Sequence, residues 1–333
     1  QARIWQVEGM FDRGKTPSFF DDMDLAAVPE DYHENHDLNY VKALITELQR
    51  KYNIDESRIF MQGMSAGNLM TAQFCRYYGN ILAGAAGSGG PTQLDMLFTD
   101  SGEIKNTAGH LPVWQSRPEN NDVPPNKSDS LYVNKYNRYY WMKLNGCAPI
   151  PQIRIVGEDN FAFYHGEKAD MVYLDIKNRD HGQTLDDAAL VWNYLFSGAR
   201  RKADGTITCE QSILPRKGDD FAFAVADGCR SAWTGNAVHP LTAEVRKWQK
   251  LKYHGLNGGQ KVRGEYRMVP LSLLAQIFRA ELSYSDDSLT ARMALRDGRT
   301  LQFARGSIGC VIDGQLRSMY CEALHRENQL LVS

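Results

Sequence analysis

Gly63-Met64-Ser65-Ala66-Gly67 constrains this chain more than any other stretch. Before it, Arg58-Ile59-Phe60-Met61-Gln62 is short, apolar and partly β-branched, and reads as a buried strand. After it, Asn68 to about Tyr78 holds good helix formers and no proline. A serine flanked by glycines between a strand and a helix must sit in a sharp turn, because neighbouring backbones crowd it. Such a turn lifts the Ser65 hydroxyl above the sheet and aims the Ala66 N–H where an oxyanion would develop. The alternative is an ordinary turn that happens to contain serine.

The elements around this turn set the expected layout. Asp37 to Tyr52 reads as a helix with Leu38, Val41, Leu44, Ile45 and Leu48 on one face and Asp37 at its start. Leu82–Gly87, Leu111–Gln115, Ile153–Val156 and Met171–Ile176 read as strands, and Tyr132–Leu144 and Thr184–Phe196 as helices. Alternating strands and helices to about residue 200 predict an α/β layered fold with a mostly parallel sheet. Ser197–Gly205 is polar and basic and reads as a linker. Beyond it, Asp227-Gly228, Asp297-Gly298 and Asp313-Gly314 punctuate short strand-like runs. The expectation is a first domain over 1–200 and a smaller β-rich α+β domain over 205–333, with one helix near Leu271–Phe278.

A serine hydroxyl needs a base, and the base needs an orienting group. His181, in Asp180-His181-Gly182, follows a strand end and precedes a helix, which suits the base better than any of the other seven histidines. Asp122, in the polar loop Ser116–Asn126, is the expected orienting carboxylate. Asp159 is its rival, set second because the Ile153–Val156 strand looks like part of a hairpin leading into the next strand, and Glu119 is a weaker one. A helix-capping or surface role is the plain alternative for His181, and a solvated loop position for each acid. Tyr132, Tyr136, Tyr139, Tyr140 and Trp141 suggest a stacking platform, but their spacing fits core packing better.

The net charge of −2 gives no sign of a nucleic-acid or anionic-membrane partner, and no apolar run approaches a membrane span. The six cysteines show no C-x-x-C spacing, so a zinc site is not expected; buried thiols and up to three disulfides both remain open. The chain opens on Gln with no signal peptide after it, which suggests a processed chain or a piece of a longer one.

Residues 37–200 resemble the polyhydroxybutyrate depolymerase and feruloyl esterase branch of the α/β-hydrolases. The resemblance lies in Asp37-Leu38-Asn39-Tyr40-Val41, in Tyr52 to Ile59 leading into Gly63–Gly67, in Leu111-Pro112-Val113-Trp114, in Trp141 to Cys147, and in Asp180-His181-Gly182. It implies a secreted or cell-surface serine esterase with Ser65, His181 and Asp122 as triad and Ala66 as oxyanion donor. No cofactor is implied, and the substrate would be a small or polymer-linked ester. A peptidase, a thioesterase and a catalytically silent binding protein are the rival readings. The chain departs from the family pattern at Asn68, where glycine is usual. It departs again in Arg117-Pro118-Glu119-Asn120-Asn121-Asp122, which is one residue longer than the usual His-Gly-x-x-Asp loop. The glycine-rich loop that supplies a second oxyanion N–H in such enzymes has no counterpart in residues 1–36, where Gly9 and Gly14 are isolated.

Tyr266 to Phe278, Glu281 to Tyr284, Asp297-Gly298-Arg299 and Gly306-Ser307 resemble the copper amine oxidase N-terminal-like domain. That resemblance implies an appended stalk for cell-surface attachment. It does not imply copper, since His239, His254 and His325 lack ligand spacing.

Overall fold

The computed structural model describes residues 5–8, 28–120, 131–156, 159–181, 187–210, 223–234, 237–254 and 259–333. By contacts the chain divides into two compact units, one of Gln1–Gln183 with Asp187–Lys217 and one of Gly218–Ser333 with Thr184–Asp186.

The first unit is built on one six-stranded sheet. Its strands are β1 (Phe60–Met64), β2 (Gly84–Ser88), β3 (Val113–Asn120), β4 (Gln152–Val156), β5 (Asp159–Tyr164) and β6 (Met171–Asp180), in the spatial order β1-β2-β3-β6-β5-β4. Pairings β1–β2, β2–β3 and β3–β6 are parallel, whereas β6–β5 and β5–β4 are antiparallel. Side chains alternate between two cores, as the two-residue period of a strand requires. Ala85, Val113, Met171 and Tyr173 pack against Leu38 of α1 (His36–Lys51), Phe74 of α2 (Ala66–Tyr78) and Tyr140 of α4 (Leu131–Asn145); α3 is the single turn Leu94–Leu97. Ala86, Trp114, Val172, Leu174 and Ile176 pack on the opposite face against Val191 of α5 (Asp187–Tyr194) and against Leu195 and Phe196.

A short hairpin of β7 (Ala199–Arg201) and β8 (Ile207–Cys209) occupies the stretch read from sequence as a linker. Arg201 fixes it to the first unit by donating to the carbonyls of Leu82 at 2.6 Å, His110 at 2.9 Å and Gly79 at 3.3 Å.

The second unit is antiparallel. Its strands are β9 (Phe223–Val225), β10 (Ser231–Thr234), β11 (Ala237–Pro240), the long pair β12 (Arg246–His254) and β13 (Gly259–Pro270), and the meander β14 (Glu281–Tyr284), β15 (Thr290–Ala294), β16 (Thr300–Ala304), β17 (Gly309–Ile312) and β18 (Gln315–Ser318). The last two, β19 (Leu324–Arg326) and β20 (Gln329–Val332), join β13. The helix read from sequence at Leu271–Phe278 is α6, bounded by the same residues. Asp313 and Gly314 turn with φ of 49° and 78°, the paired positive values that match a hairpin's twist.

The expectation of an α/β-hydrolase fold with a mostly parallel sheet is therefore corrected. Among the described residues the chain is β-rich, with five sheets, and only the first contains parallel pairs. The cause lies between residues 152 and 171. A parallel return needs a crossover of about a dozen residues or more. Only two residues separate β4 from β5, and six separate β5 from β6, so these strands fold back antiparallel. Strand β5 was not read from sequence at all. Of the apolar face read for α1, Leu44 and Leu48 are exposed, and Asn35 rather than Asp37 caps the helix by accepting from the N–H groups of Asp37 and Leu38.

Gly63 shows why α2 can lie so close to β1. A Cβ built there would stand 2.1 Å from the Gly67 carbonyl oxygen and 2.6 Å from Thr71 Oγ1, whereas a Cβ at Gly67 meets nothing within 4 Å. Gly63→Ala is expected to destabilise the protein by about 1–3 kcal/mol through overpacking, whereas Gly67→Ala, in a helix with open space around it, is expected to be neutral or to stabilise by up to about 1 kcal/mol. Urea midpoints of the two variants test this ordering.

Candidate active site

The site starts from the backbone of Ser65. Its φ of 57° and ψ of −124° lie in a region that a residue with a side chain rarely occupies. Two contacts hold it there. The Ser65 N–H donates to the Ser88 carbonyl at 2.9 Å, and the Ser65 carbonyl accepts from the N–H groups of Asn68 and Leu69 at 2.9 and 3.1 Å. The chain thus leaves β1 and enters α2 with Ser65 as the one residue between them. Ser65 is half-buried, and the first N–H groups of α2, those of Ala66 and Gly67, have no intrahelical acceptor. The expected order of strand, serine and helix is observed, but the strand is Phe60–Met64 instead of Arg58–Gln62, and the helix starts at Ala66, two residues before Asn68.

Ser65 leaves the sheet at the carboxyl end of its parallel strands. His181 follows β6 at that same end. Met64, Ser88, Ser116 and Leu174 form a row across the sheet level with the turn. Strand β6 continues six residues past Leu174 to Asp180, so register alone does not set His181 beside Ser65. His181 is half-buried.

The three candidate acids are placed differently. Asp122 lies outside the described residues. Asn120, two residues before it, pairs across β3–β6 with Asp180, the residue before His181. Asp159 opens β5 on the other side of β6, and its Oδ1 accepts from the Lys177 N–H at 2.9 Å, four residues short of His181. Glu119 is exposed and meets Lys177 Nζ at 3.4 Å.

Charged side chains missed in the sequence reading join β3 to β6 here. Asp175 meets Arg117 Nη1 at 3.2 Å and Lys177 Nζ at 3.0 Å. The hydrogen bond to Asp175 raises the Lys177 ammonium above its ordinary value. The Arg138 guanidinium from α4 lies 4.4 Å over the Tyr173 ring. The period-two spacing of Tyr173, Asp175 and Lys177 was the available signal, since it puts all three on one face. The aromatics of α4 divide: Tyr140 and Trp141 are core, whereas Tyr132 and Tyr139 are exposed.

Other histidines and thiols compete poorly. His165 Nδ1 lies 3.5 Å from Asp170 Oδ2, but this pair precedes β6, at the end of the sheet away from Ser65. A cavity of about 380 Å³ lined by His165, Glu167, Lys168, Asp170, Ile207 and Cys209 lies at that same far end. All six cysteines are free thiols. Burial pushes Cys75 and Cys147 up to about 12 and Cys209 to about 11, so none of these three is a nucleophile at neutral pH. Among the described residues no group of His, Cys, Asp or Glu could hold a metal ion, and no helix is long and apolar enough to cross a membrane.

Compared with protein-family models and with curated proteins, the chain matches none.

The thiol environment gives a direct check. Iodoacetamide at pH 8 should leave Cys75 and Cys147 unmodified in the folded protein, because thiols titrating near 12 carry roughly one part in ten thousand of thiolate there. Peptide mass spectrometry should find both alkylated only after unfolding.

Proposed function

We propose that this protein is a serine carboxylester hydrolase. The observation that carries the reading is the backbone of Ser65. A strained conformation of this kind costs on the order of 1–3 kcal/mol, persists only where surrounding structure enforces it, and gathers at functional sites. A serine serving only as a turn residue would gain stability by giving way to glycine.

Ser65 Oγ attacks the ester carbonyl carbon and gives its proton to His181. The Ala66 N–H holds the developing oxyanion at the positive end of α2. His181 then protonates the leaving alcohol. Water, deprotonated by His181, releases the acid from the acyl-enzyme. Asp122 orients His181. It is preferred to Asp159 because the Asp159 carboxylate already accepts from the Lys177 N–H, whereas Asp122 stands two residues after Asn120, the partner of the residue before His181. The motif resemblance to polyhydroxybutyrate depolymerases and feruloyl esterases supports an ester as the acyl substrate, and a secreted or cell-surface setting with the second unit as an attached module.

Three outcomes test the reading. Ser65→Gly should stabilise the protein by roughly 0.5–2 kcal/mol, the relief of strain less the entropy that glycine returns to the unfolded chain, while Ser65→Ala should not. Both should lose p-nitrophenyl acetate turnover by at least ~10³-fold. Turnover within tenfold of wild type in a folded Ser65→Ala protein would remove Ser65 from the chemistry. Asp122→Asn should lower kcat by about 10²–10⁴-fold and Asp159→Asn by less than about tenfold; the reverse order would move the acid to Asp159. A fragment ending at Lys217, which keeps the β7–β8 hairpin and Arg201, should retain kcat on a small ester within a few-fold, as steady-state kinetics would measure.

A further inference from the structure

Asn68 stands where the resembling family has glycine, and the structure gives its side chain a task. Its Nδ2 donates to the Gly89 carbonyl at 2.9 Å and to the Gly90 carbonyl at 3.1 Å. Its Oδ1 fills the space over Gly87, where an added Cβ would stand only 1.7 Å away. Glycine at residue 87 and asparagine at residue 68 are thus complementary: the strand yields the volume that the carboxamide occupies.

The turn that Asn68 grips lies against the nucleophile. A Cβ at Gly90 would stand 2.9 Å from the Ser65 carbonyl oxygen and 3.2 Å from its carbon. Ser88, just before the turn, accepts from the Ser65 N–H at 2.9 Å. The exit from β2 therefore bounds Ser65 on both its N–H and its C=O sides. Yet the turn is soft. Gly89 and Gly90 have φ of 59° and 69°, and the Gly89 N–H reaches the Ser116 carbonyl only at 3.4 Å. Two consecutive glycines have many other conformations open to them. The bonds from Asn68 tie this pair to the first turn of α2.

We propose that Asn68 is a positioning residue for Ser65, its carboxamide holding the Gly89–Gly90 turn against the nucleophile's backbone and so keeping Ser65 in the strained conformation that aims its hydroxyl. The proposal rests on the esterase reading. It explains why the departure from glycine at residue 68 is compatible with a working site. It also predicts where the effect of losing Asn68 falls: on the rate of attack by Ser65, not on the affinity for the ester.

Two variants reach the same contact from opposite sides. Asn68→Asp keeps the size and sets a carboxylate against two carbonyl oxygens. Gly87→Ala drives a methyl group into the place of Oδ1 and leaves Asn68 intact, and it carries the test if Asn68→Asp does not fold. For each, the second-order labelling rate of Ser65 by a fluorophosphonate and kcat for p-nitrophenyl acetate, per active site titrated, should fall at least ~10-fold with KM within about threefold. A merely structural contact would lower the melting temperature and the titratable fraction while leaving both rates per site unchanged. A folded Asn68→Asp protein labelled at the wild-type rate overturns this inference and leaves the esterase reading standing. A folded wild-type protein not labelled at Ser65 overturns both.

Discussion

The close approach of α2 to β1 is the constraint on which the site depends. With Gly63 lacking a side chain, the Gly67 carbonyl comes within 2.1 Å of where a Cβ would be. The helix must then begin directly at Ala66, and the one residue left to reverse direction is Ser65. Its φ of 57° follows from that geometry, not from any preference of serine. The free energy stored there is drawn from the core beneath, where Phe74, Met70 and Cys75 of α2 are buried on the sheet. Burying a side chain such as Phe74 or Met70 contributes about 1.5–3 kcal/mol, so a few such contacts offset a strain of about 1–3 kcal/mol.

The sheet then divides its labour by end. Parallel pairing of β1, β2, β3 and β6 sends Ser65, the Gly89–Gly90 turn and His181 out at one end. The antiparallel strands β5 and β4 are the departure from the expected architecture, and they have a use: their addition beside β6 brings Asp159 to the Lys177 N–H and makes β6 an interior strand. Arg117, Lys177, Glu119 and Asp175 continue the β3–β6 pairing as ion pairs beyond the row level with Ser65. These groups are 14–40% exposed, so each pair contributes about 1 kcal/mol or less.

How far all this was legible from sequence varies by the physics involved. The turn at Ser65 was legible because its signal is local: a strand run, flanking glycines and a helix run adjoin in sequence. So was α6, where eight residues of high apolar content begin after Pro270. The Asp313-Gly314 turn was legible because few residues tolerate positive φ. Strand direction was legible only in part: Ile153–Val156 was read as one arm of a hairpin, and β4 does pair antiparallel with β5, but β5 itself and its antiparallel pairing with β6 were not read. The Asn68–Gly87 complement was equally hidden, since residues 19 apart in sequence meet only once β2 lies beside β1.

The same distinction explains why the acid was harder to assign than the nucleophile. A nucleophile in a strained turn advertises itself through its two neighbours. An orienting carboxylate has no such local requirement, because any aspartate at a strand end can reach a histidine if the strands are adjacent. Adjacency comes from the sheet, and there the pairing of Asn120 with Asp180 separates the candidates. Asp159 approaches β6 from its other edge and spends its Oδ1 on a backbone N–H, an interaction that fixes the start of β5. A carboxylate already accepting a part-buried hydrogen bond from a backbone N–H has less freedom to follow an imidazole through protonation. The argument for Asp122 is thus one of topology, and the argument for Ser65 one of backbone strain.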